Sequence, residues 1–390
     1  MKKLFLVVAI LTLTFTNLYS QIENLKLNGY VQTDFELAGK DGSTYVGPAY
    51  SQERDGNSDY FFRYGVRRGL IRATFEKDNG LGALELNVTE GGVIPLCAFL
   101  QLNPYRWLSF RGGLTTIDYG FELTYPSSVL ETVERSVFTR MLFPKEHDLG
   151  FMFMLNPSFN TEKNSLYFSF GMMSGNGIHK IADKNMNFMT HLTYTHNGSL
   201  CSFVLGTSFY EGKTNNAGTR VYEVENGDWQ SKDVSANKKN ARRYINFEAR
   251  LSYESFLGLS SLRSECTFGL QPSRQNSFAS QDDNSYNPSD PFSYQRNFLG
   301  FYVCYVQKIL RTPLSFIAKY TYFDKNTKLS SSEIKNIEDA KLQGLGIGLI
   351  CDFNAHVKTM LYYDMFSNET NQMVKQMNDN VLRLRLQYKF

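Results

Sequence analysis

The last ten residues, Val381-Leu382-Arg383-Leu384-Arg385-Leu386-Gln387-Tyr388-Lys389-Phe390, alternate between apolar and polar side chains. A period of two residues is that of a β-strand, in which successive side chains point to opposite faces of the sheet. One face of this strand is therefore apolar and the other is charged. Such a strand fits a soluble sandwich, with the charged face in bulk water. It fits equally an outer-membrane barrel, with the charged face towards a water-filled lumen.

The same pattern recurs at the other end of the chain. From Leu25 to Leu37 the odd positions are mostly apolar and the even positions are mostly polar. Phenylalanine (31) and tyrosine (24), both strand formers, are abundant among the 390 residues. The chain is 42% hydrophobic with a mean hydropathy of -0.34, which excludes a bundle of transmembrane helices. No uncharged apolar run after residue 20 approaches ~18 residues, so any membrane crossing must use strands.

The first twenty residues have the pattern of a secretory signal. Two lysines precede the apolar run Leu4–Leu11, and the small Ser20 stands before Gln21. We therefore predict that residues 1–20 form a signal peptide that is removed on export. Without those two lysines the formal net charge of +3 falls to about +1, and this balance predicts no nucleic-acid partner.

Connections of two lengths alternate along the chain. We identify seven short turns, such as Asn197-Gly198, and eight connections that are mostly longer, among them 90–95. Seven turns and eight loops join sixteen strands, with both chain ends on the side of the short turns. We predict an all-β fold: a transmembrane antiparallel β-barrel of about 16 strands over residues 21–390, in the bacterial outer membrane, with long outer loops and short periplasmic turns. Fourteen or eighteen strands, or a secreted sandwich or propeller, are the alternatives.

Two further features favour lipid on the apolar face. Aromatic residues gather near strand ends, as in Tyr105-Arg106-Trp107, which is typical of the girdles at a membrane interface. The chain ends on Phe390, which resembles the terminal signal of proteins delivered to the barrel assembly machinery. We therefore expect outer-membrane lipid and that machinery among the partners.

The sequence shows no catalytic or metal-binding pattern. The five cysteines have no C-x-x-C spacing, and the five histidines have no H-E-x-x-H spacing. The G-x-S-x-G motif of a hydrolase is absent. We predict that the protein is not an enzyme and has no cofactor and no metal site. A hydrolase that uses His191 or His196 is an alternative.

If the apolar positions face lipid, the charged positions line the lumen. The inward acids in this register include Glu85, Glu248 and Glu265, so the lumen field is of mixed sign. We expect cross-strand pairs of Glu248 or Arg250 with Arg263 or Glu265. The basic side chains predicted to line the pore are Arg72, Arg111, Arg250, Arg263, Lys319, Arg383 and Arg385.

The segment 118–148 differs from the other long connections because it carries apolar residues, among them Phe138 and Leu142, between its charges. A purely solvated loop would not need these side chains. We predict that the segment folds into the barrel and narrows the pore; a folded external lid is the alternative. The charged residues predicted to form the constriction are Glu122, Glu131, Glu134, Arg135 and Arg140.

Six motifs follow one another within residues 27–155. They are Gly29-Tyr30-Val31-Gln32, Arg67-Arg68, Leu108-Ser109-Phe110-Arg111-Gly112-Gly113-Leu114, Phe121-Glu122-Leu123-Thr124-Tyr125-Pro126-Ser127-Ser128, Val133-Glu134-Arg135-Ser136 and His147-Asp148-Leu149-Gly150. This series resembles the phosphate-selective porin O and P family. The resemblance implies a sixteen-stranded barrel, usually trimeric, whose inward-folded third loop carries Glu134, Arg135 and Ser136. It also implies the passage of small anions such as phosphate or polyphosphate.

We expect a porin for passive diffusion of small hydrophilic solutes, with a preference for anions or phosphate left open. The expected partners are these solutes, membrane lipid and two further copies of the chain in a homotrimer. One alternative is a channel specific for an organic solute, with Tyr30, Tyr167 and Tyr362 facing inwards. Another is a surface-binding protein whose barrel serves as an anchor and whose loops 211–242 and 271–295 bind the partner.

Overall fold

The alternating sequence forms long antiparallel strands. The computed structural model describes residues 24–43, 45, 60–144, 146–156, 163–175, 177, 186–215, 218–235, 238–280 and 293–390, so the predicted signal at 1–20 lies outside the described residues. Within these ranges the strands are β1 (Leu25–Gly39), β2 (Tyr60–Lys77), β3 (Gly80–Thr89), β4 (Gly92–Tyr105), β5 (Leu108–Thr116), β6 (His147–Leu155), β7 (Asn164–Met173), β8 (Asn187–Asn197), β9 (Cys201–Asn215), β10 (Arg220–Glu225), β11 (Asp228–Asp233), β12 (Lys239–Ser255), β13 (Gly258–Arg274), β14 (Ser277–Ser280), β15 (Ser293–Lys308), β16 (Leu314–Asp324), β17 (Leu342–Asp352), β18 (Val357–Asn368) and β19 (Val381–Lys389).

Sixteen of these strands close into a ring, and β10, β11 and β14 lie in the long connections. Each strand of the ring pairs antiparallel with the ring strands before and after it, and β1 pairs with both β2 and β19. The closing pair sets Asp34 opposite Arg385 and Glu36 opposite Arg383. Because the ring is closed, none of its strands has a free edge. The prediction of an antiparallel barrel of sixteen strands is therefore confirmed.

The sequence alternation separates an outer face from an inner face. On β19, Leu384 is 36% exposed, whereas its neighbours Arg383 and Arg385 are 2% and 1% exposed. Apolar side chains therefore project outwards, where lipid would cover them, and charged side chains project inwards. No helix in the described part of the chain has both the length and the apolar composition needed to cross a bilayer.

The connection predicted at 90–95 is shorter than expected. The segment 90–95, expected to be a longer loop, is a turn of two residues, Glu90 and Gly91, and β4 already begins at Gly92. Gly92 has a φ of +119°, a backbone conformation that glycine adopts without a steric penalty. The residues that follow therefore extend the strand instead of forming a loop.

The connection between β5 and β6, residues 117–146, contains two short helices, α1 (Gly120–Thr124) and α2 (Val137–Leu142). Phe138 and Leu142 of α2 and the following Phe143 are almost fully buried. They form the main apolar cluster of the molecule with inward aromatic side chains of the ring, including Tyr210 and Tyr244. The core therefore lies between this loop and the inner wall of the barrel.

A second buried cluster joins the long connections that follow β9, β16 and β18. Val224 of β10 packs with Leu329, Ile334 and Val374, and a 3-10 helix, Ile337–Asp339, lies beside it. The hairpin of β10 and β11 is thereby held to the connections that follow β16 and β18.

Candidate functional site

The first attachment of the 117–146 loop is at Glu122 on α1. Its carboxylate accepts hydrogen bonds from the Lys319 ammonium of β16, the Ser136 backbone N–H at 2.8 Å and the Thr139 hydroxyl at 2.9 Å. The backbone N–H of Glu122 donates to Glu265 Oε1 of β13 at 2.9 Å. These bonds fold the loop back on itself and tie it to two strands of the wall.

The second attachment is at Glu134. Its carboxylate lies 2.7 Å from Arg67 Nε of β2 and 2.9 Å from Arg385 Nη2 of β19, and Arg385 also forms a bidentate pair with Asp34 of β1 at 2.7 and 2.6 Å. Burial would raise the pKa of Glu134, but the guanidinium groups of Arg67 and Arg385 outweigh burial and hold that pKa well below its ordinary value. The loop is thereby attached where the barrel closes.

The third attachment is at Glu146, just before β6. Glu146 Oε1 lies 2.7 Å from Arg68 Nη2 of β2 and 2.7 Å from Arg135 Nη1 of the loop itself. Burial favours the neutral acid, but the two guanidinium groups outweigh it and lower the pKa of Glu146 to about 2. The carboxylate is therefore charged at any physiological pH.

The far wall contacts the same loop. Arg263 Nη1 of β13 pairs with Glu131 at 2.7 Å, and Arg242 Nη2 of β12 donates to the Leu142 carbonyl at 2.9 Å. The ring of Phe143 meets Tyr244 of β12 edge-on, with centroids 5.7 Å apart. The loop therefore contacts inward side chains of β1, β2, β12, β13, β16 and β19.

The seven basic residues predicted to line the pore fall into two groups. Arg263, Lys319 and Arg385 pair with loop carboxylates, and Arg383 pairs with Glu36 at 2.7 Å and Asp364 at 2.6 Å. The sequence pattern predicted that these four side chains point inwards, but it did not predict their partners. The remaining three residues, which pair with no loop acid, are Arg72, Arg111 and Arg250.

Those three side chains have a distant ionic partner or none, although Arg111 also lies over the ring of Phe99, 4.3 Å from its centroid. Arg72 Nη1 is 3.5 Å from Glu85 of β3, and Arg111 donates to neutral oxygens of Gln101 and Thr115 at 2.7 to 3.1 Å. The side chain of Arg250 has no hydrogen bond or ion pair with any described residue. Its cross-strand neighbour on β13 is Arg263.

Two cavities lie beside Arg72 and Arg111. One of about 340 Å³ is lined by Arg68, Arg72 and Lys389, and one of about 450 Å³ is lined by Arg72, Arg111 and Tyr167. Both cavities contact α1 and the turn that follows it. These two cavities are therefore bordered by the loop on one side and by cations of β2 and β5 on the other.

The predicted constriction residues mostly hold the loop in place. Glu122, Glu131, Glu134 and Arg135 are all taken up by the pairs described above, and Arg135 Nε also donates to the Glu122 carbonyl at 2.5 Å. Arg140 Nε donates to the Arg135 carbonyl at 3.1 Å, and its guanidinium lies over the ring of Tyr45, 4.8 Å from the centroid.

The start of the loop carries a contact that sequence reasoning missed. His191 of β8 lies between two carboxylates, with Nδ1 2.8 Å from Asp118 Oδ1 and Nε2 2.8 Å from Glu248 Oε1. The Tyr167 hydroxyl donates to Asp118 Oδ2 at 2.5 Å. Because these residues come from four separate segments, no local motif in the sequence marks them.

The expected cross-strand pairs of opposite charge on β12 and β13 are wrong. The register places Glu248 opposite Glu265 and Arg250 opposite Arg263. The like charges are tolerated because Glu248 has His191 as partner, and Glu265 accepts a hydrogen bond from the Tyr302 hydroxyl at 2.6 Å.

No protein-family model and no curated protein matches the chain. Solved structures do match in fold. OprB of Pseudomonas putida aligns over 97% of this chain and 96% of its own, with 9% identity and a TM-score of 0.63. The anion-selective porin from Comamonas acidovorans aligns over 94% and 99%, with 11% identity and a TM-score of 0.57. The outer membrane protein OmpT of Vibrio cholerae, in its trimer form, aligns over 94% and 99%, with 11% identity and a TM-score of 0.54.

These likenesses show a shared fold. The chain has the barrel architecture of outer-membrane porins, and the prediction of a bacterial outer-membrane location agrees with it. Membership of the phosphate-selective porin O and P family stays a prediction.

Proposed function

We propose that the protein is an outer-membrane porin through which small hydrophilic solutes diffuse passively, with a preference for anions. The observation that carries this proposal is the unequal use of charge on the inner face. The loop carboxylates are taken up by other cations, whereas Arg72, Arg111 and Arg250 hold no loop acid. A closed barrel with a charged interior is an architecture that suits a diffusion channel, and we propose no chemical transformation of the solute.

The anion preference follows from the charges that stay available around the cavities. Arg72 borders both cavities and Arg111 borders the larger one. Of the acids beside them, Glu85 shares its charge with Arg72, and Asp118 is engaged by His191 and Tyr167. A cation without a full counter-charge in a narrow polar passage attracts anions.

The 117–146 loop is proposed to set the exclusion size. Its ion pairs with β2, β13, β16 and β19, through Glu122, Glu131, Glu134 and Glu146, support a position inside the lumen. A segment attached at this many points cannot swing out without breaking several buried ion pairs, each of which would leave an unpaired charge.

Finer parts of the proposal rest on the sequence. The resemblance supports phosphate as a solute and a trimer as the assembly, and the trimer form of the similarly folded OmpT agrees with the second. Export through the signal at residues 1–20 and delivery to the assembly machinery through Phe390 rest on the sequence pattern.

The test is a planar-bilayer measurement on the refolded protein. Reversal potential under a salt gradient gives the ratio of anion to cation permeability. We expect the double variant Arg72→Gln with Arg111→Gln to lose anion preference, because both changes remove positive charge beside the cavities and keep hydrogen-bonding capacity. The control is Arg243→Gln, on the outer face of β12 with Glu211 as its partner. An unchanged reversal potential in the double variant would contradict the proposed path.

A second candidate is a channel for organic anions, which the aromatic residues beside the arginines favour. Tyr30 borders the smaller cavity, and Tyr125 and Tyr167 border the larger one, so a ring and an acidic group could be contacted together. Tyr362 is instead buried in the apolar cluster against the loop. Block by benzoate of a current that chloride carries would favour this candidate. The absence of conductance from folded barrels would favour a surface-binding role.

A further inference from the structure

Three side chains with metal-ligating atoms meet at one point of the barrel wall. Glu85 of β3, Cys97 of β4 and His147 of β6 each offer one such atom, and these atoms all lie within 4.8 Å of one another. The side chains are buried, with exposures of 7%, 2% and 5%. Glu85 also pairs with Arg72 beside the smaller cavity, whereas the proposed diffusion assigns no role to Cys97 or His147.

Strand pairing explains how three distant residues converge. Glu85 lies directly opposite Cys97 in the β3–β4 pair, and the register shifts immediately after Glu85, which marks a bulge. His147 lies opposite Thr116 of β5, and the Thr116 hydroxyl is 3.8 Å from the Cys97 sulfur. Bulges are features that redirect side chains, and here the result is a pocket with three different donors.

We propose that Glu85, Cys97 and His147 form a binding site for a divalent transition metal of the zinc class. Thiolate, imidazole and carboxylate are the donors that zinc takes, and three protein ligands with one open position make a tetrahedral site that can also hold a water. The 340 Å³ cavity, lined by Glu85 and His147, supplies space for that water. On binding, the thiol proton leaves to solvent and the sulfur coordinates as thiolate.

The geometry sets one requirement. Donor atoms around a tetrahedral zinc lie about 3.5 Å apart, and the present separations are at most 4.8 Å, so the side chains need to approach one another by no more than about 1.3 Å. Side-chain rotation supplies a movement of that size. The Thr116 hydroxyl beside the sulfur is placed to hydrogen-bond the thiolate once it forms.

Nearby positive charge would oppose metal binding, and this effect can be tested. Arg68 and Arg135 share the carboxylate of Glu146, but Arg72 lies 3.5 Å from Glu85, one of the proposed ligands. Arg72 therefore competes with the metal for that carboxylate. Removing its charge in Arg72→Gln should tighten metal binding.

The site would link the loop to the wall. His147 directly follows Glu146, where the 117–146 loop ends, whereas Glu85 and Cys97 belong to strands on the other side of β5. A bound ion would fix that end of the loop and occupy the smaller cavity. This role goes beyond passive diffusion, and binding can be measured without any current.

Cobalt(II) is the probe, because a thiolate ligand gives it a near-ultraviolet charge-transfer band and a tetrahedral site gives it strong visible bands. The protein is refolded in detergent with Cys201→Ser throughout, which removes the exposed thiol. We expect these bands on titration and their loss when Zn²⁺ is added. Folded barrels without a charge-transfer band would overturn the proposal.

Variants then assign the ligands. Cys97→Ser should abolish the charge-transfer band, and His147→Gln should weaken binding at least about tenfold. The matched control is Cys304→Ser, which removes a buried thiol on β15 and should leave the spectrum unchanged. A band that persists in Cys97→Ser, or binding that weakens in Arg72→Gln, would contradict the assigned site or its competition with Arg72.

Discussion

Single carboxylates decide how firmly the loop is held. Glu146 lies between Arg68 and Arg135, and its removal leaves two buried guanidinium groups without a counter-charge. Removing one partner of a buried ion pair costs more than the pair itself contributes, because the remaining charge has lost its hydration. The loop is therefore sensitive to single changes among Glu146, Arg68 and Arg135.

Glu146→Gln should lower the free energy of unfolding by about 3 kcal/mol at pH 7. Because the pKa of Glu146 is lowered from 4.5 to about 2, its stabilisation is complete above 4.5 and is lost as the pH falls to about 2. Urea unfolding in detergent at pH 7, 4 and 2.5 should show the difference between wild type and variant shrinking.

The matched control at this scale is Glu76→Gln, which removes an exposed carboxylate 3.6 Å from Lys26. An exposed pair contributes less than about 1 kcal/mol, so this variant should unfold nearly as the wild type does. Equal losses in the two variants would mean that Glu146 does not hold the loop.

At the scale of elements, the loop is attached by its apolar side as well as by ions. Phe143→Ala removes a buried ring that meets Tyr210 and Tyr244 edge-on, at centroid distances of 5.4 and 5.7 Å. Large-to-small changes at such sites cost about 3–5 kcal/mol. We expect a released loop, seen as larger and noisier single-channel currents and faster proteolysis of the loop in folded protein.

Phe151→Ala is the control for that experiment, because Phe151 projects from the outer face of β6 and is exposed. Its currents should match those of the wild type. If Phe143→Ala also leaves both the currents and the proteolysis unchanged, the apolar cluster does not anchor the loop.

How far the sequence predicts these elements depends on the range of each interaction. The alternation around Arg383 and Arg385 predicted the strand and the inward direction of both side chains, because it depends on neighbouring residues only. Their partners Glu36, Asp34 and Glu134 lie far away in the chain, and only the closed ring brings them together. The prediction of a longer loop at 90–95 was wrong for a local reason. Gly91 and Gly92 permit a turn of two residues there.

The candidate sites show the same limit. Glu85, Cys97 and His147 follow no spacing rule, because strand pairing and a bulge bring them together. For Glu248 and Glu265, alternation predicted the face correctly but not the register that sets them opposite each other.

At the scale of the whole molecule, closure depends on the pairing of β1 with β19. Arg385→Met would leave Asp34 and Glu134 buried without a shared cation, and the cost should fall on the closed ring. We expect a folded barrel that unfolds at a lower temperature, measured as the heating step at which it changes mobility in detergent gels. Leu384→Val, on the lipid-facing side of the same strand, should leave that temperature unchanged.

Arg385 also bears on the order in which the protein folds. It belongs to the last strand, yet it binds Asp34, 351 positions earlier, and Glu134, 251 positions earlier. Contacts at such separation form late, since the intervening chain must first be brought together. We therefore expect the loop to complete its attachment only when the final strand pairs. The pairing of β19 with β1 and the narrowing of the interior would then occur in one kinetic step. Before that step the barrel interior would be wider.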